Sequence, residues 1–203
     1  GKINGVNYQD SLFRGIEVDG DSVDSDKIQF ERALVNSQIS NILKQAGVDT
    51  SSIKEECTFT VDPYSYEITV DGVDEETKVL MQNALNVGNN GKNLYKHIYY
   101  CSTQDGCESS QVTEESKMKY EAYHQVYSYT GYELDKLEEK NGTYYTESGE
   151  NILDLVDSAV ESSGKVPKEF KQQMKNWIHD LVTTISTRGW NNVPDMTLSI
   201  LYG

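Results

Sequence analysis

The sequence lacks any run of about 18 consecutive apolar residues, the length that a helix needs to cross a bilayer. Positive charge is also scarce, because 18 lysines and arginines face 33 aspartates and glutamates, for a net charge of −15. Phosphate groups attract Lys and Arg, so this acidic chain is a poor partner for nucleic acid and for anionic membrane surfaces. We therefore predict no nucleic-acid partner and no insertion into a membrane.

Cysteine is rare as well, with three residues in a chain of 203. A chain of this length can bury enough surface to fold without a metal or a disulfide. A bond between Cys101 and Cys107 would close a small loop and imply an oxidising compartment; otherwise these two and Cys57 are plain thiols. His97 and His124 could join Cys101 and Cys107 in a zinc site, but their spacing matches no specific zinc pattern. No cofactor is predicted.

The chain starts with Gly1 and shows no charged and apolar signal pattern behind it. We expect a processed protein or a piece cut from a longer one, and we favour an exported or cell-surface location over the cytoplasm. The oligomeric state does not follow from the sequence.

Strand signals are few and local. Apolar and polar residues alternate on both sides of Asp62-Pro63, which predicts a β-hairpin over about residues 57–71. A two-stranded hairpin is marginal alone, so we expect a final strand at about 196–202 to join it. A second, tight hairpin is predicted at Asn141-Gly142.

Helical spacing dominates the rest of the chain. With their end signals, the periodic segments predict helices at about 24–47, 74–88, 91–100, 113–130, 151–161 and 167–189. The second of these is expected to bury Leu80, Met81, Ala84 and Leu85. The last is expected to bury Phe170, Met174, Trp177, Leu181 and Ile185, which leaves His179 facing solvent. The predicted fold class is α+β: a mostly helical single domain, residues 1–203, with a small antiparallel sheet, in which residues 1–23 could pack loosely.

The segment "NVGNNGKNLYKH", residues 86–97, invites comparison with a phosphate-binding loop. The Walker pattern needs Gly where Asn86 stands and Ser or Thr where Asn93 follows Lys92, and it needs a strand before it. We interpret the segment as a joint between two helices. In that interpretation Gly88 is a left-handed cap, Asn90-Gly91 forms a turn, and Asn90 or Asn93 caps the next helix.

The aspartates of "DGDSVDSD" suggest a cation site, because hard cations prefer clustered carboxylates. The candidate ligands are Asp19, Asp21, Asp24 and Asp26. An EF-hand would need other residues where Val23, Asp24 and Phe30 stand. Loose cation binding and a solvated, helix-capping loop are both open.

The helix near 114–130 carries two faces that could be buried. Met118, Ala122, Val126 and Tyr129 share one side, and the opposite side holds Tyr120, Tyr123, His124 and Tyr127. A central helix packed on both sides is the preferred interpretation. The alternative is an exposed tyrosine strip that binds another protein or a glycan, since Tyr offers a large, rigid contact area.

Three blocks of sequence resemble an uncharacterised Gram-positive bacterial domain family. They are the stretch from residue 58 to 97 that opens "TFTVDPYSYEITVDG", then "TGYELDKLEEKNGTYYTESGENILDL", and finally "NVPDMTLSILYG". The resemblance implies a bacterial source and no catalytic residue. No G-x-S-x-G signature surrounds any serine. We therefore expect a non-enzymatic interaction or structural domain; the alternative is a hydrolase whose site is assembled from residues distant in sequence.

Overall fold

A computed structural model describes residues 25–100 and 113–202, with side chains from residue 35 onward except that of Tyr100, and the backbone of residues 2–3 and 6–7. Three predictions fall outside these residues: the cation ligands Asp19, Asp21 and Asp24, the Cys101–Cys107 disulfide, and the loose packing of residues 1–23. Asp26 lies in a described helix, but its side chain is outside the described set.

The helices and strands confirm the predicted α+β class. In chain order they are β1 (Lys2–Ile3), β2 (Val6–Asn7), α1 (Ser25–Gln45), β3 (Cys57–Val61), β4 (Ile68–Asp71), α2 (Glu75–Leu85), α3 (Asn90–Tyr100), α4 (Glu114–Thr130), β5 (Glu138–Lys140), β6 (Thr143–Tyr145), α5 (Ile152–Ser162), α6 (Lys171–Arg188) and β7 (Thr197–Ile200). None of the described helices combines the length and apolar character that crossing a bilayer requires.

The chain packs into two compact units. One, the sheet unit, comprises residues 1–113 and 196–203; the other, the helical unit, comprises residues 114–195. The prediction of a single domain over the whole chain stays a prediction. Each unit has its own buried residues and is described separately below.

A three-stranded antiparallel sheet forms the centre of the sheet unit. β3 lies between β4 and β7, and Phe59 faces Val70 on one side and Leu198 on the other. The hairpin and the C-terminal strand that completes it are therefore confirmed. Cys57 and Phe59 alternate with half-buried threonines, as expected for a strand with one buried face.

The helix α2 buries most of the predicted face, with one exception. Met81 and Leu85 are buried and Ala84 is half-buried, but Leu80 is exposed. The difference arises because polar side chains of α2 and of its C-cap residue Asn86 bond the outer edge of β4. Gln82 accepts a hydrogen bond from the Val70 amide, and the Asn86 amide group both accepts from and donates to the backbone of Ile68. These bonds orient α2 and turn Leu80 outward.

The joint between α2 and α3 is confirmed as a backbone corner, with two corrections. Gly88 has the predicted left-handed φ of +57°, but it is not the cap of α2, because that helix ends at Leu85 and its C-cap is Asn86. However, α3 begins at Asn90, so Asn90-Gly91 belongs to its first turn and forms no separate turn. The Asn90 side chain donates to the Leu85 carbonyl at 3.0 Å. Gly91 is required for another reason: a Cβ there would lie 1.7 Å from the carbonyl oxygen of Tyr66.

Three helices and a hairpin build the helical unit. α4, α5 and α6 pack against one another. The β5–β6 hairpin turns at Asn141 and Gly142, whose φ values of 51° and 80° match the predicted tight turn.

The buried face of α6 also differs from the predicted one. Leu181 and Ile185 are buried as expected, but their partners on the face are Ile178 and Val182. Phe170 and Trp177 are both exposed. Phe170 belongs to a short 3-10 turn that precedes the helix, so it does not follow the helical spacing.

Polar contacts with α5 fix the rotation of α6. The Lys171 ammonium donates to the carbonyls of Val160, Glu161 and Ser163 at 2.6–3.0 Å. His179, predicted to face solvent, is partly exposed and pairs with Asp157 at 2.7 Å.

Candidate functional site

Four aromatic rings gather in the helical unit, from three separate parts of its sequence. Tyr120 and Tyr123 come from α4, Tyr144 comes from β6, and Trp190 follows the end of α6. Trp190 stacks on Tyr123 with ring centres 5.4 Å apart, and it meets Tyr144 edge-on at 6.0 Å. Tyr120 meets Tyr123 edge-on at 5.7 Å. These are the arrangements that aromatic pairs prefer.

The polar ends of these rings are joined by hydrogen bonds. The indole N–H of Trp190 donates to the Tyr144 hydroxyl, which in turn donates to the Ser186 hydroxyl at 3.0 Å. A buried Tyr or Trp is stable only when its polar group finds a partner. The chain of bonds therefore fixes the orientation of the Trp190 ring as well as its position.

Lys119 fixes the backbone of the segment that contains Trp190. Its side chain is buried, and its ammonium donates to the carbonyl oxygens of Trp190 and Val193 at 2.9 Å each. It also pairs with the Asp195 carboxylate at 3.0 Å. A buried ammonium is tolerated only when it is paired and hydrogen-bonded, and Lys119 meets this condition.

A cleft of about 540 Å³ opens beside these rings, and we call it the aromatic cleft. Tyr123 and Tyr144 line its inner part, and the half-buried Trp190 reaches its wall. The rim carries exposed polar side chains: Asp135, Glu139, Asn191 and Asn192. Its volume lies in the range of sites that take small molecules or single side chains.

The Tyr123 hydroxyl is in a buried environment near two acidic side chains, Asp135 and Asp195. Burial raises the pKa of the Tyr123 hydroxyl, and the charges of Asp135 and then Asp195 raise that pKa further. Tyr123 therefore stays neutral, and its hydroxyl keeps its proton. Among the residues that the structure describes, no Lys, Arg or His lines the cleft.

The predicted tyrosine strip does not lie on one exposed surface. Tyr120 and Tyr123 are 5% and 7% exposed, whereas Tyr127 is 40% exposed and His124 is half-buried. His124 lies near Glu121 on the same helix. Burial raises the pKa of the Glu121 carboxyl, and the charge of His124 partly opposes that rise. The binding role of these four residues stays a prediction, and only Tyr123 among them lines the aromatic cleft.

The described residues provide no support for the other predicted sites. In residues 35–99 and 113–202 no three His, Cys, Asp or Glu side chains are placed to hold a metal ion. His97 is buried on α3, and neither it nor His124 lines the aromatic cleft. The Cys57 thiol is buried, and burial followed by the charge of Asp71 raises its pKa to about 11.

Sequence reasoning missed Lys119, Tyr144 and Trp190. The one local signal is the position of Tyr144 just after the Asn141-Gly142 turn, where one residue of the short strand must face inward. Nothing near Trp190 or Lys119 in the sequence indicates that they meet, because they are 71 residues apart.

The chain belongs to the family described as Domain of unknown function (DUF4885), whose model matches residues 1–203. It is 30% identical over 203 residues to the uncharacterized protein YbdO of Bacillus subtilis (strain 168). The chain spans about half the length of this curated relative, 50%. No solved structure matches it. The resemblance to an uncharacterised Gram-positive family is thus confirmed, and these comparisons give the hydrolase alternative no support.

Proposed function

We propose that this domain is a non-catalytic binding module for another protein, and that the aromatic cleft of the helical unit is its binding site. The observation that carries the proposal is the way in which the Trp190 ring is held in place. Its ring is stacked on Tyr123 and hydrogen-bonded to Tyr144, yet it stays half-buried at a cleft. Rigid, partly exposed Trp and Tyr side chains are the usual anchors of protein interfaces.

The rigidity of the ring supports binding because it lowers the cost of association. A side chain that must be ordered on binding costs about 0.5–1.5 kcal/mol. The indole of Trp190 has already lost that freedom in the folded domain, since Lys119 fixes its backbone and Tyr144 fixes its N–H.

The composition of the cleft favours binding over catalysis. The described residues of its lining include neither histidine nor cysteine, which are the usual bases and nucleophiles. Its two carboxylates, Asp135 and Glu139, are solvent-exposed, whereas a general acid needs a desolvated environment.

Fluorescence of Trp190 tests the proposal directly. The chain has two tryptophans, and Trp177→Phe leaves Trp190 as the reporter. This variant is titrated with an array of soluble peptides and with a set of neutral oligosaccharides. We expect peptides, not oligosaccharides, to shift the emission of Trp190.

Matched variants then locate the site. Asn191 is exposed at the cleft and Asn176 is exposed on α6, so Asn191→Phe and Asn176→Phe make the same change in two places. We expect Asn191→Phe to weaken peptide binding at least about tenfold, because it fills the cleft. Equal binding by both variants would show that the cleft is not the site.

A further inference from the structure

We infer that Asn141, at the turn of the β5–β6 hairpin, is a site of spontaneous covalent modification. The backbone nitrogen of Gly142 displaces the side-chain amide of Asn141, and the main product extends the backbone of the turn by one carbon. This site stands apart from the proposed function. It follows from the exposure of the turn, from the chemistry of an Asn-Gly pair, and from a second Asn-Gly pair that the fold protects.

The reaction needs no partner except water. The Gly142 nitrogen attacks Cγ of Asn141, so that an N–Cγ bond forms, the bond from Cγ to Nδ2 breaks, and ammonia leaves with the amide proton. Water then opens the five-membered ring. Cleavage of the new N–Cγ bond gives an aspartate, whereas cleavage of the original peptide bond gives an isoaspartate, in which the chain runs through the former side chain. Glycine favours the attack because it has no side chain to shield its nitrogen.

The chain contains three Asn-Gly pairs, at 4–5, 90–91 and 141–142. The first pair lies outside the described residues. The sequence gives no reason to distinguish the other two, because each is an asparagine followed by a glycine. The structure places them in different environments.

The fold protects Asn90. Its side chain is 3% exposed, lies in the first turn of α3, and donates to the Leu85 carbonyl at 3.0 Å. Gly91 is packed so closely that a Cβ there would lie 1.7 Å from the Tyr66 carbonyl oxygen. Attack by the Gly91 nitrogen requires rotation of the backbone between the two residues, which would break the start of the helix. Asn90 therefore reacts only when this part of the sheet unit unfolds.

Asn141 has no such protection. Asn141 and Gly142 are both exposed and form the two central positions of the hairpin turn, with φ values of 51° and 80°. Lys140 and Thr143, which flank them, are the last paired residues of the hairpin. An exposed turn opens locally at a lower free energy than a segment held by buried contacts. Each opening allows the rotation that brings Cγ of Asn141 to the Gly142 nitrogen.

The modification would act on the aromatic rings of the helical unit. A Cβ on Gly142 would lie 3.6 Å from the Ser186 Oγ, and the Tyr144 hydroxyl donates to the same oxygen. The register of the hairpin places Tyr144 opposite Glu139. Loop length determines hairpin register, so an isoaspartate in the turn displaces Tyr144. Its hydroxyl is then lost as the acceptor of the Trp190 N–H.

The first test follows both pairs in one sample. The full chain is kept folded in mildly alkaline buffer, and a second sample is kept unfolded in urea at the same pH. Pepsin digestion in acid stops the reaction, and mass spectrometry measures the replacement of ammonia by water at each asparagine. We expect Asn141 to react at least about tenfold faster than Asn90 in the folded chain, and within about threefold of it in urea.

Two results would overturn the assignment. Equal rates at Asn90 and Asn141 in the folded chain would show that the fold does not select between the pairs. Reaction of Asn141 in urea with none in the folded chain over the same time would show that the closed turn prevents the attack.

A second test separates the added carbon from the added charge, in the Trp177→Phe protein, where Trp190 is the only tryptophan. Asn141→Gly cannot react, and Gly-Gly suits this turn. Asn141→Asp carries the new charge on a backbone of normal length. After incubation we expect a red shift of Trp190 emission in the Trp177→Phe protein and none in its Asn141→Gly variant, and no shift in freshly prepared Asn141→Asp. Unchanged emission in a sample that contains the isoaspartate, or an equal shift in Asn141→Gly, would overturn the effect on Tyr144.

Discussion

Lys119, near the start of α4, reaches across the helical unit to bond the carbonyl oxygen of Trp190 at 2.9 Å. The two residues are 71 positions apart, and the same ammonium also holds Val193 and Asp195. One buried positive charge thus determines where the segment after α6 lies.

Replacing Lys119 with methionine should destabilise the helical unit. The change keeps the side-chain bulk but leaves two carbonyls unsatisfied, which costs about 1–3 kcal/mol for each buried group that loses its partner. We expect a fall of about 2–3 kcal/mol in the free energy of unfolding and a red shift of Trp190 emission. Urea unfolding measures the first, and Lys165→Met, at an exposed position, is the control expected within about 0.5 kcal/mol of wild type.

The Tyr144 hydroxyl should matter more than that of its neighbour. Tyr144→Phe removes the acceptor of the Trp190 N–H and the donor to Ser186. We expect the free energy of unfolding to fall by about 1–2 kcal/mol, since the Trp190 N–H is left without its acceptor. Tyr145→Phe is the matched control on the same strand. Equal stability of the two variants in thermal unfolding would contradict the role given to Tyr144.

Gly91→Ala should be costly although alanine is the better helix former. The preference for Ala in a helix is worth about 1 kcal/mol. The added Cβ would meet the Tyr66 carbonyl oxygen at 1.7 Å, so the backbone must shift, and such overpacking costs about 1–3 kcal/mol or more. Gly164→Ala meets nothing within 4 Å and serves as the control. Denaturant titration should show a net loss for the first variant only.

The Cys57 thiol predicts a specific decline of stability in alkali. Its pKa is raised from 9.0 to about 11 in the folded protein. Above pH 9 the unfolded chain ionises this thiol and the folded chain does not, so stability present below pH 9 is lost as pH rises towards 11. The loss is about 1.4 kcal/mol per pH unit within that window.

Comparison with Cys57→Ala isolates this effect from the ionisation of lysines and tyrosines. We expect the variant to have a lower free energy of unfolding than wild type at pH 8, and the difference between the two proteins to become smaller by pH 10.5. Urea unfolding at each pH measures both values. A constant gap across that range would be inconsistent with a protonated, buried thiol.

Local signals in the sequence predicted much of the fold. Gly47 and Gly189, which both have a positive φ, follow the ends of α1 and α6, and Asn141-Gly142 forms the tight hairpin turn. These features depend on the backbone preferences of a few adjacent residues, which a sequence displays. The alternation around Phe59 likewise fixed the buried face of β3.

The buried faces of α2 and α6 could not be predicted from periodicity alone. Leu80 is exposed because Asn86 bonds a strand, and Phe170 is exposed because the chain is still in a 3-10 turn there. In both helices the apolar pattern allows more than one face, and contacts made by polar residues decide between them. The candidate site could not be predicted for the same reason, because hydrogen bonds bring together residues that are 46 and 71 positions apart in the sequence.

The bonds from Gln82 and Asn86 to β4 have a consequence for how this protein meets copies of itself. A strand with open amides and carbonyls invites a strand from another molecule to extend the sheet. Here the side-chain amides of Gln82 and of Asn86, the residue that follows α2, bond the N–H groups of Ile68 and Val70 and the carbonyl of Ile68, so self-association through this edge strand depends on these two residues. Loss of Asn86 alone would be enough to begin exposing it.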